Sequence, residues 1–124
     1  MSASPVAGPS PASAAQVTRT VVGRRTVLSV AGEIDLASVQ LVADAVDEAF
    51  EAGALELWLD LSSTEFLDST GLHLLMETQA RLDSLSRSLA VICPRGPVRR
   101  VLELAGMVER LPLYDDRAAA HHAT

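Results

Sequence analysis

The segment LELWLDL, residues 55–61, has a leucine at every second position. The four leucines would share one face of a β-strand, and the residues between them, Glu56, Trp58 and Asp60, the other face. Alternation this strict predicts a sheet whose two faces differ, one packed on helices and one less completely covered. We therefore expect Trp58 to cover the second face of the sheet.

Strand and helix patterns alternate around this segment. VTRTVV and RTVLSVAG indicate an antiparallel hairpin, SLAVIC an interior strand and MVERLPLY an edge strand. The spacing of apolar residues predicts three helices. The first lies between Asp35 and Gly53, the second runs from about Ser69 to Ser84, and the third lies in PRGPVRRVLELAG. Asp35 is the predicted N-cap of the first helix. Residues 62–67 are predicted to form a loop.

These patterns predict an α/β fold. The economical topology is a mixed, mostly parallel sheet of four to five strands, with an opening antiparallel hairpin and helices mainly on one face. Residues 1–16, rich in Pro, Ala and Ser, are predicted to be a disordered tail. Residues 17–117 form the predicted domain, and residues 118–124 a flexible C-terminal tail. The segment DDRAAAHHAT, residues 115–124, fits either a frayed helix or a tail.

Charge and cysteine content narrow the functional classes. The formal net charge is −6, and this acidic balance argues against direct nucleic-acid binding. All ten basic residues are arginines. Cys93 is the single cysteine, so an intrachain disulfide is impossible and a reducing compartment fits best. No apolar stretch approaches the roughly 20 residues of a membrane helix, and no secretory signal is evident. We expect a cytoplasmic protein without membrane insertion.

The stretch FLDSTGLHLL, residues 66–75, places four small or polar residues between two apolar runs. Asp68 or Ser69 could cap the following helix, which contributes about 1 kcal/mol. The same pattern suits a functional helix start, because the helix dipole would hold a phosphate on Ser69. Gly71 costs up to about 1 kcal/mol relative to alanine, which is expected where another group must approach the backbone. Asp35 would share one rim with Ser69, because both follow parallel strands.

Several segments together resemble one known family. DLSSTEFLDSTGLHLL looks like the signature of STAS domains, the family of bacterial anti-sigma factor antagonists. AGEIDLAS resembles the family's G-E-[IL]-D turn, and VICPRGPVRRVLELAGM its last strand and helix. The resemblance covers residues 17–113, nearly the whole predicted domain. It implies a STAS-like fold and a regulatory function rather than catalysis.

The resemblance also implies a switch and its partners. In such antagonists the serine after the motif aspartate, here Ser69, is phosphorylated by an anti-sigma factor that is itself a serine kinase. The unphosphorylated form binds that kinase and frees a sigma factor, the phosphorylated form is released, and a serine/threonine phosphatase resets the cycle. Asp35, Asp68, Thr70 and Gly71 map onto the partner-binding rim. The resemblance implies a monomer without cofactors.

His73 departs from the family pattern, in which a smaller residue is common. It lies one helical turn after Ser69 and is included in the predicted partner-binding set, where it would contact a phosphate or face solvent.

Three other readings use some of the same residues. A hydrolase would take Ser69 as nucleophile and His73 as base, but no third, orienting group is evident. A metal site has little support, since His121 and His122 are adjacent and Cys93 lacks ligand spacing. The alternative within the fold is a non-switching STAS subunit of a transporter-associated or stress-sensing complex.

Overall fold

The computed structural model describes residues 2–5 and 15–123. Its elements are seven strands and four helices: β1 (Ser2–Pro5), β2 (Gln16–Val22), β3 (Arg25–Ile34), α1 (Val39–Glu51), β4 (Glu56–Asp60), β5 (Thr64–Leu67), α2 (Ser69–Ser84), β6 (Ser88–Ile92), α3 (Pro97–Leu104), β7 (Leu113–Tyr114) and α4 (Arg117–Ala123).

The strands form one mixed sheet in the order β1-β2-β3-β4-β6-β7, with β5 paired to β3. β1, β2 and β3 are antiparallel neighbours, and the pairs β3–β4, β3–β5, β4–β6 and β6–β7 are parallel. The predicted fold class, a mixed sheet opened by an antiparallel hairpin, is confirmed. The sheet is larger than the predicted four to five strands, because β1 and β5 were not expected.

β5 replaces most of the loop predicted at residues 62–67. β3 has ten residues and β4 only five, so the C-terminal part of β3 extends beyond β4 and its backbone groups need another partner. The chain turns after β4 and supplies that partner, with Gly32 N–H donating to Ser63 O at 3.1 Å. A register shift beside Gly32, whose φ is 91°, marks a bulge where β3 passes from one neighbour to the other.

The main core lies on the face of the sheet that carries the leucines of β4. Leu57, Leu59 and Leu61 belong to one buried cluster with residues from three helices. These helical residues are Val42, Ala45, Val46 and Ala49 of α1, Leu75 and Leu82 of α2, and Val98 and Leu102 of α3. The alternation therefore predicted the helix-covered face correctly for these three leucines, whereas Leu55 precedes β4 and is exposed.

The second face is covered by α4. Trp58, only 3% exposed, forms a smaller cluster with Val27, Ala90, Ile92 and Ala120, as expected for a tryptophan that covers this face. The Arg25 guanidinium lies 3.9 Å from the centre of the Trp58 ring, and the His121 ring meets it edge-on at 5.2 Å.

Both predicted terminal tails require correction. α4 extends to Ala123 and buries Ala120 completely, so residues 118–123 are helical rather than a flexible tail. At the other end, Ser2–Pro5 forms β1, Ala15 is buried and Gln16 begins β2. The disorder predicted for residues 1 and 6–14, and the flexibility predicted for residue 124, concern positions outside the described residues.

Within the described ranges, no helix is both long and apolar enough to cross a membrane.

Asp60, at the end of β4, links α4 to the turn that leads into β5. Its side chain accepts hydrogen bonds from Ser62 N–H at 2.9 Å, from the Ser62 hydroxyl at 2.5 Å and from Arg117 Nε at 2.7 Å. Burial raises the pKa of Asp60, but the bonds from Ser62 and Arg117 outweigh it and hold the pKa below its ordinary value.

We expect Asp60→Asn to lower the free energy of unfolding at pH 7 by about 1–3 kcal/mol, because the amide cannot accept from both Ser62 and Arg117. A lowered pKa in the folded state means that the carboxylate stabilises the fold above about pH 3.9. The difference between the variants should therefore shrink as the pH falls through the folded-state pKa. Urea denaturation at pH 7 and pH 3 measures both effects.

Asp115→Asn is the matched control, because Asp115 is an exposed carboxylate paired with Arg99. Its effect should stay within about 0.5 kcal/mol. Equal losses in the two variants, or a loss for Asp60→Asn that does not depend on pH, would contradict this account of Asp60.

Candidate functional site

The candidate site is built where β3 and β5 end side by side. Ile34 and Leu67 are paired in register, so Asp35 and Asp68 leave neighbouring strands at the same level. Neighbouring strands lie about 4.8 Å apart, and Asp68 N–H donates to Ile34 O at 3.1 Å. The structure thus places Asp35 beside the α2 start, as the sequence predicted. We call Asp35, Asp68, Ser69, Thr70 and His73 the rim surface.

Asp68 is the N-cap of α2. One carboxylate oxygen accepts from Thr70 N–H at 2.9 Å, from Gly71 N–H at 3.3 Å and from the Thr70 hydroxyl at 2.5 Å. The pKa of Asp68 lies below its ordinary value, mainly because its side chain accepts from the Thr70 hydroxyl. Burial acts in the opposite direction and raises this pKa, whereas hydrogen bonds from the N–H groups of Gly71, Thr70 and Leu36 lower it further. The Leu36 contact joins the turn after Asp35 to the start of α2. Asp68 and Thr70 are therefore engaged with each other.

Ser69 is the first residue of α2 and is exposed. Among the described residues no hydrogen-bond partner is found for its hydroxyl. Three N–H groups of the first helical turn are already used, since Thr70 and Gly71 donate to the Asp68 side chain and Leu72 to the Asp68 carbonyl. The capping role falls on Asp68, and Ser69 is left open to solvent or to another molecule.

Gly71 is buried, and its environment corrects the reason inferred for it. A Cβ at this position would lie 2.7 Å from Leu67 Cδ1 and 3.1 Å from Ile34 Cγ2. The group that approaches this backbone is the protein's own β5 and β3, rather than a partner. Contact of Gly71 with a partner stays a prediction.

Asp35 is not the N-cap of α1, which begins four residues later at Val39 with Ser38 before it. The Asp35 side chain instead closes the intervening turn by accepting from Ala37 N–H at 3.0 Å and Ser38 N–H at 3.1 Å. The Ser38 hydroxyl donates to Glu33 O at 2.6 Å. Because these bonds fix the turn, its tip is held rigidly beside α2.

A shallow groove of about 480 Å³ runs between α1 and α2 and opens at Ser69. Its lining is Val39, Gln40 and Ala43 from α1, and Ser69, Thr70, His73, Leu74 and Glu77 from α2. His73 is exposed, and its Nε2 lies 2.5 Å from Glu77 Oε1. His73 therefore lies on the Ser69 side of α2, as its spacing predicted.

Two apolar side chains near this site were not predicted. Leu36, at the tip of the Asp35 turn, is 79% exposed, and Phe66 of β5 is 47% exposed. Both side chains add apolar area to the surface around the site. The position of Leu36 directly after GEID was the one available signal, while Phe66 depends on the unexpected strand β5.

The geometry does not favour a hydrolase. The His73 ring contacts Glu77, and no hydrogen bond joins it to Ser69. Burial raises the pKa of the Cys93 thiol to about 11, so this cysteine is a poor nucleophile. In the described part of the chain, no three His, Cys, Asp or Glu side chains are grouped as metal ligands.

Fold and site together define an α/β domain that presents an exposed serine at a helix start, beside the aspartates Asp35 and Asp68. The chain belongs to the STAS domain family, whose model matches residues 13–120.

Individual relatives agree with this membership. The anti-sigma-F factor antagonist RsfB of Mycobacterium tuberculosis is 33% identical over 88 residues, 71% of each chain. An anti-sigma F factor antagonist of Paenibacillus polymyxa is 27% identical over 95 residues, 76% of this chain and 81% of that one. The crystal structure of an anti-sigma factor antagonist from Mycobacterium paratuberculosis superposes with a TM-score of 0.83 at 28% identity, covering 93% of this chain and 97% of the other.

The capping role of Asp68 can be tested by stability. Asp68→Ala should lower the free energy of unfolding by about 1 kcal/mol, whereas Asp68→Asn keeps a capping oxygen and should lose only a few tenths. Urea denaturation at neutral pH compares the two. Equal losses for alanine and asparagine would show that the Asp68 side chain does not act as the cap.

The packing role of Gly71 gives a second test. In Gly71→Ala the new methyl meets the buried Leu67, at a cost of about 1–3 kcal/mol that opposes the helix-propensity gain of about 1 kcal/mol. We expect a net loss of about 1 kcal/mol in chemical denaturation. Ala80→Gly, at an exposed position of α2, measures the propensity contribution in the same helix. A Gly71→Ala variant more stable than wild type would show that the Leu67 side chain moves aside to accommodate the new methyl group.

Proposed function

We propose that this protein is an anti-sigma factor antagonist whose rim surface binds an anti-sigma factor with serine-kinase activity. In this proposal the unphosphorylated chain holds the kinase and thereby releases a sigma factor. Phosphorylation of Ser69 ends the complex, and a serine/threonine phosphatase restores it. The protein acts in the cytoplasm as a regulatory binding protein and not as an enzyme.

The observation that carries the proposal is the exposed Ser69 hydroxyl at the start of α2. It is free for modification, because Asp68 rather than Ser69 caps the helix. Support also comes from the relatives, since those named above are anti-sigma factor antagonists. The apolar Leu36 at the neighbouring turn provides surface that a partner could bury.

The chemistry of the switch is a simple phosphoryl transfer. The Ser69 oxygen forms a bond to the γ-phosphorus of ATP, the bond from that phosphorus to the β-phosphate oxygen breaks, the hydroxyl proton is released and ADP leaves. Ser69 thereby gains a charge of about −1.5 to −2 at neutral pH.

This charge arrives beside two carboxylates, Asp35 and Asp68. A partner that docks on the rim surface would have to desolvate three neighbouring anionic groups instead of two. A loss of about 2.7 kcal/mol already weakens binding a hundredfold. Local repulsion and hydration are therefore sufficient to release the partner without a rearrangement of the sheet or helices.

The proposal is tested with the kinase that the chain captures from its host, identified by mass spectrometry. With ATP this kinase should add a single phosphate to the wild type and none to Ser69→Ala. Ser69→Asp should bind the kinase at least about a hundredfold more weakly than the wild type in calorimetry. Ser88→Asp adds the same charge at an exposed serine that begins β6, at the opposite end of the sheet, and should bind normally.

Two results would contradict the proposal. One is binding of Ser69→Asp as tight as that of the wild type, and the other is phosphate on a residue other than Ser69. Capture of a transporter ATPase in place of a kinase would instead favour a non-switching STAS subunit.

A further inference from the structure

A phosphate on Ser69 finds few backbone donors at the start of α2. The N–H groups of Thr70, Gly71 and Leu72 are all bonded to Asp68. The helix start can therefore attract the phosphate through its dipole but offers it none of these three hydrogen bonds. Apart from the N–H of Ser69 itself, the donors for the phosphate must therefore come from side chains.

The side chains nearest to Ser69 on the strand ends are acidic. Asp68 precedes it directly, and Asp35 leaves the neighbouring strand at the same level. Both carboxylates repel a phosphate dianion. A group that stabilises the phosphate must therefore lie on the other side of Ser69, toward the groove between α1 and α2.

His73 is the one groove-lining residue that can carry a positive charge. It stands four residues after Ser69 on α2, a spacing that places the two Cβ atoms about 5–6 Å apart. From there the imidazole N–H reaches a phosphate oxygen without any movement of the backbone. Gln40 lines the opposite wall and supplies a second donor, its side-chain amide.

The present partners of these two donors are easily replaced. His73 pairs with Glu77, and Gln40 donates to Asp44 at 2.8 Å, each pair one turn apart on its own helix. All four are surface groups, and exposed pairs of this kind are weak. Glu77, with 63% of its side chain exposed, can turn to water when His73 leaves it.

We propose that His73 is an intramolecular receptor for phosphate on Ser69. The phosphate turns away from Asp35 and Asp68 into the groove, where the protonated imidazole of His73 exchanges Glu77 for a phosphate oxygen. The acidic groups around this pair are Glu77, which contacts His73, Asp44, which contacts Gln40, and Asp35 and Asp68 at the strand ends. The proposal rests on Ser69 being the phosphorylation site and deepens the proposed function by specifying how the modified state is held.

The test needs no kinase, because phosphoserine can be installed at position 69 of the full chain during translation. The titration of the phosphate is followed by phosphorus NMR in the unmutated and the His73→Gln backgrounds. A neighbouring cation favours the dianion, so the phosphate should titrate at a pH lower by about one unit when His73 is present. The ring-nitrogen signals of His73 should also change between the unphosphorylated and phosphorylated chains.

Two variants serve as controls. His122→Gln removes an exposed histidine on α4, away from the groove, and should leave the phosphate titration unchanged. Glu77→Gln removes the competing carboxylate and should preserve or enlarge the effect of His73. Circular dichroism checks that each variant keeps the fold.

The receptor role would be overturned if the phosphate titrates at the same pH with and without His73, and if phosphorylation leaves the ring-nitrogen signals of His73 unchanged. That result would leave the proposed function standing, because loss of kinase binding in Ser69→Asp is measured separately. The opposite result is also informative. If His73 lowers the pH at which the phosphate titrates but Ser69→Asp binds the kinase as tightly as the wild type, the switch is rejected and the contact between His73 and the phosphate stands.

Discussion

The site depends on the pairing of β5 with the C-terminal part of β3. Ile34 and Leu67 are the last residues of these strands and lie in register, so the two turns that follow emerge together. Without this pairing, the Asp35 turn and the start of α2 would be joined only through flexible connections. The bulge at Gly32 is the local feature that allows β3 to serve two neighbours in succession.

At the start of α2, the residues that stabilise the fold are different from the residue that is exposed for modification. Asp68 caps the helix, and Gly71 allows the helix to approach Leu67 and Ile34 closely. Ser69 takes part in neither task, so its hydroxyl can be modified without loss of a cap or of core packing. This separation explains why a motif of four small or polar residues can serve stability and regulation at once.

The sequence predicted the parts of the fold that have a regular pattern of their own. The leucine alternation in residues 55–61 predicted both faces of β4, and the apolar spacing predicted α1, α2 and α3. β5 lacks such a pattern and forms because β3 offers unpaired backbone groups. α4 has no apolar stripe and depends on contacts of Arg117 and Ala120 with distant residues. Asp35 was a wrong choice of N-cap because its side chain accepts from the N–H groups of Ala37 and Ser38, in a turn that precedes α1.

The arrangement also limits how a phosphate could act on a bound partner. Because Asp68 already accepts the N–H groups of Thr70, Gly71 and Leu72, the helix start has few free backbone donors for a phosphate on Ser69. The charge of this phosphate either faces the partner or turns toward the groove. Either position changes only the surface, since the sheet register and the packing beneath Gly71 involve other groups. The rigidity of this frame is what makes a charge added at a single hydroxyl sufficient to change what the rim surface can bind.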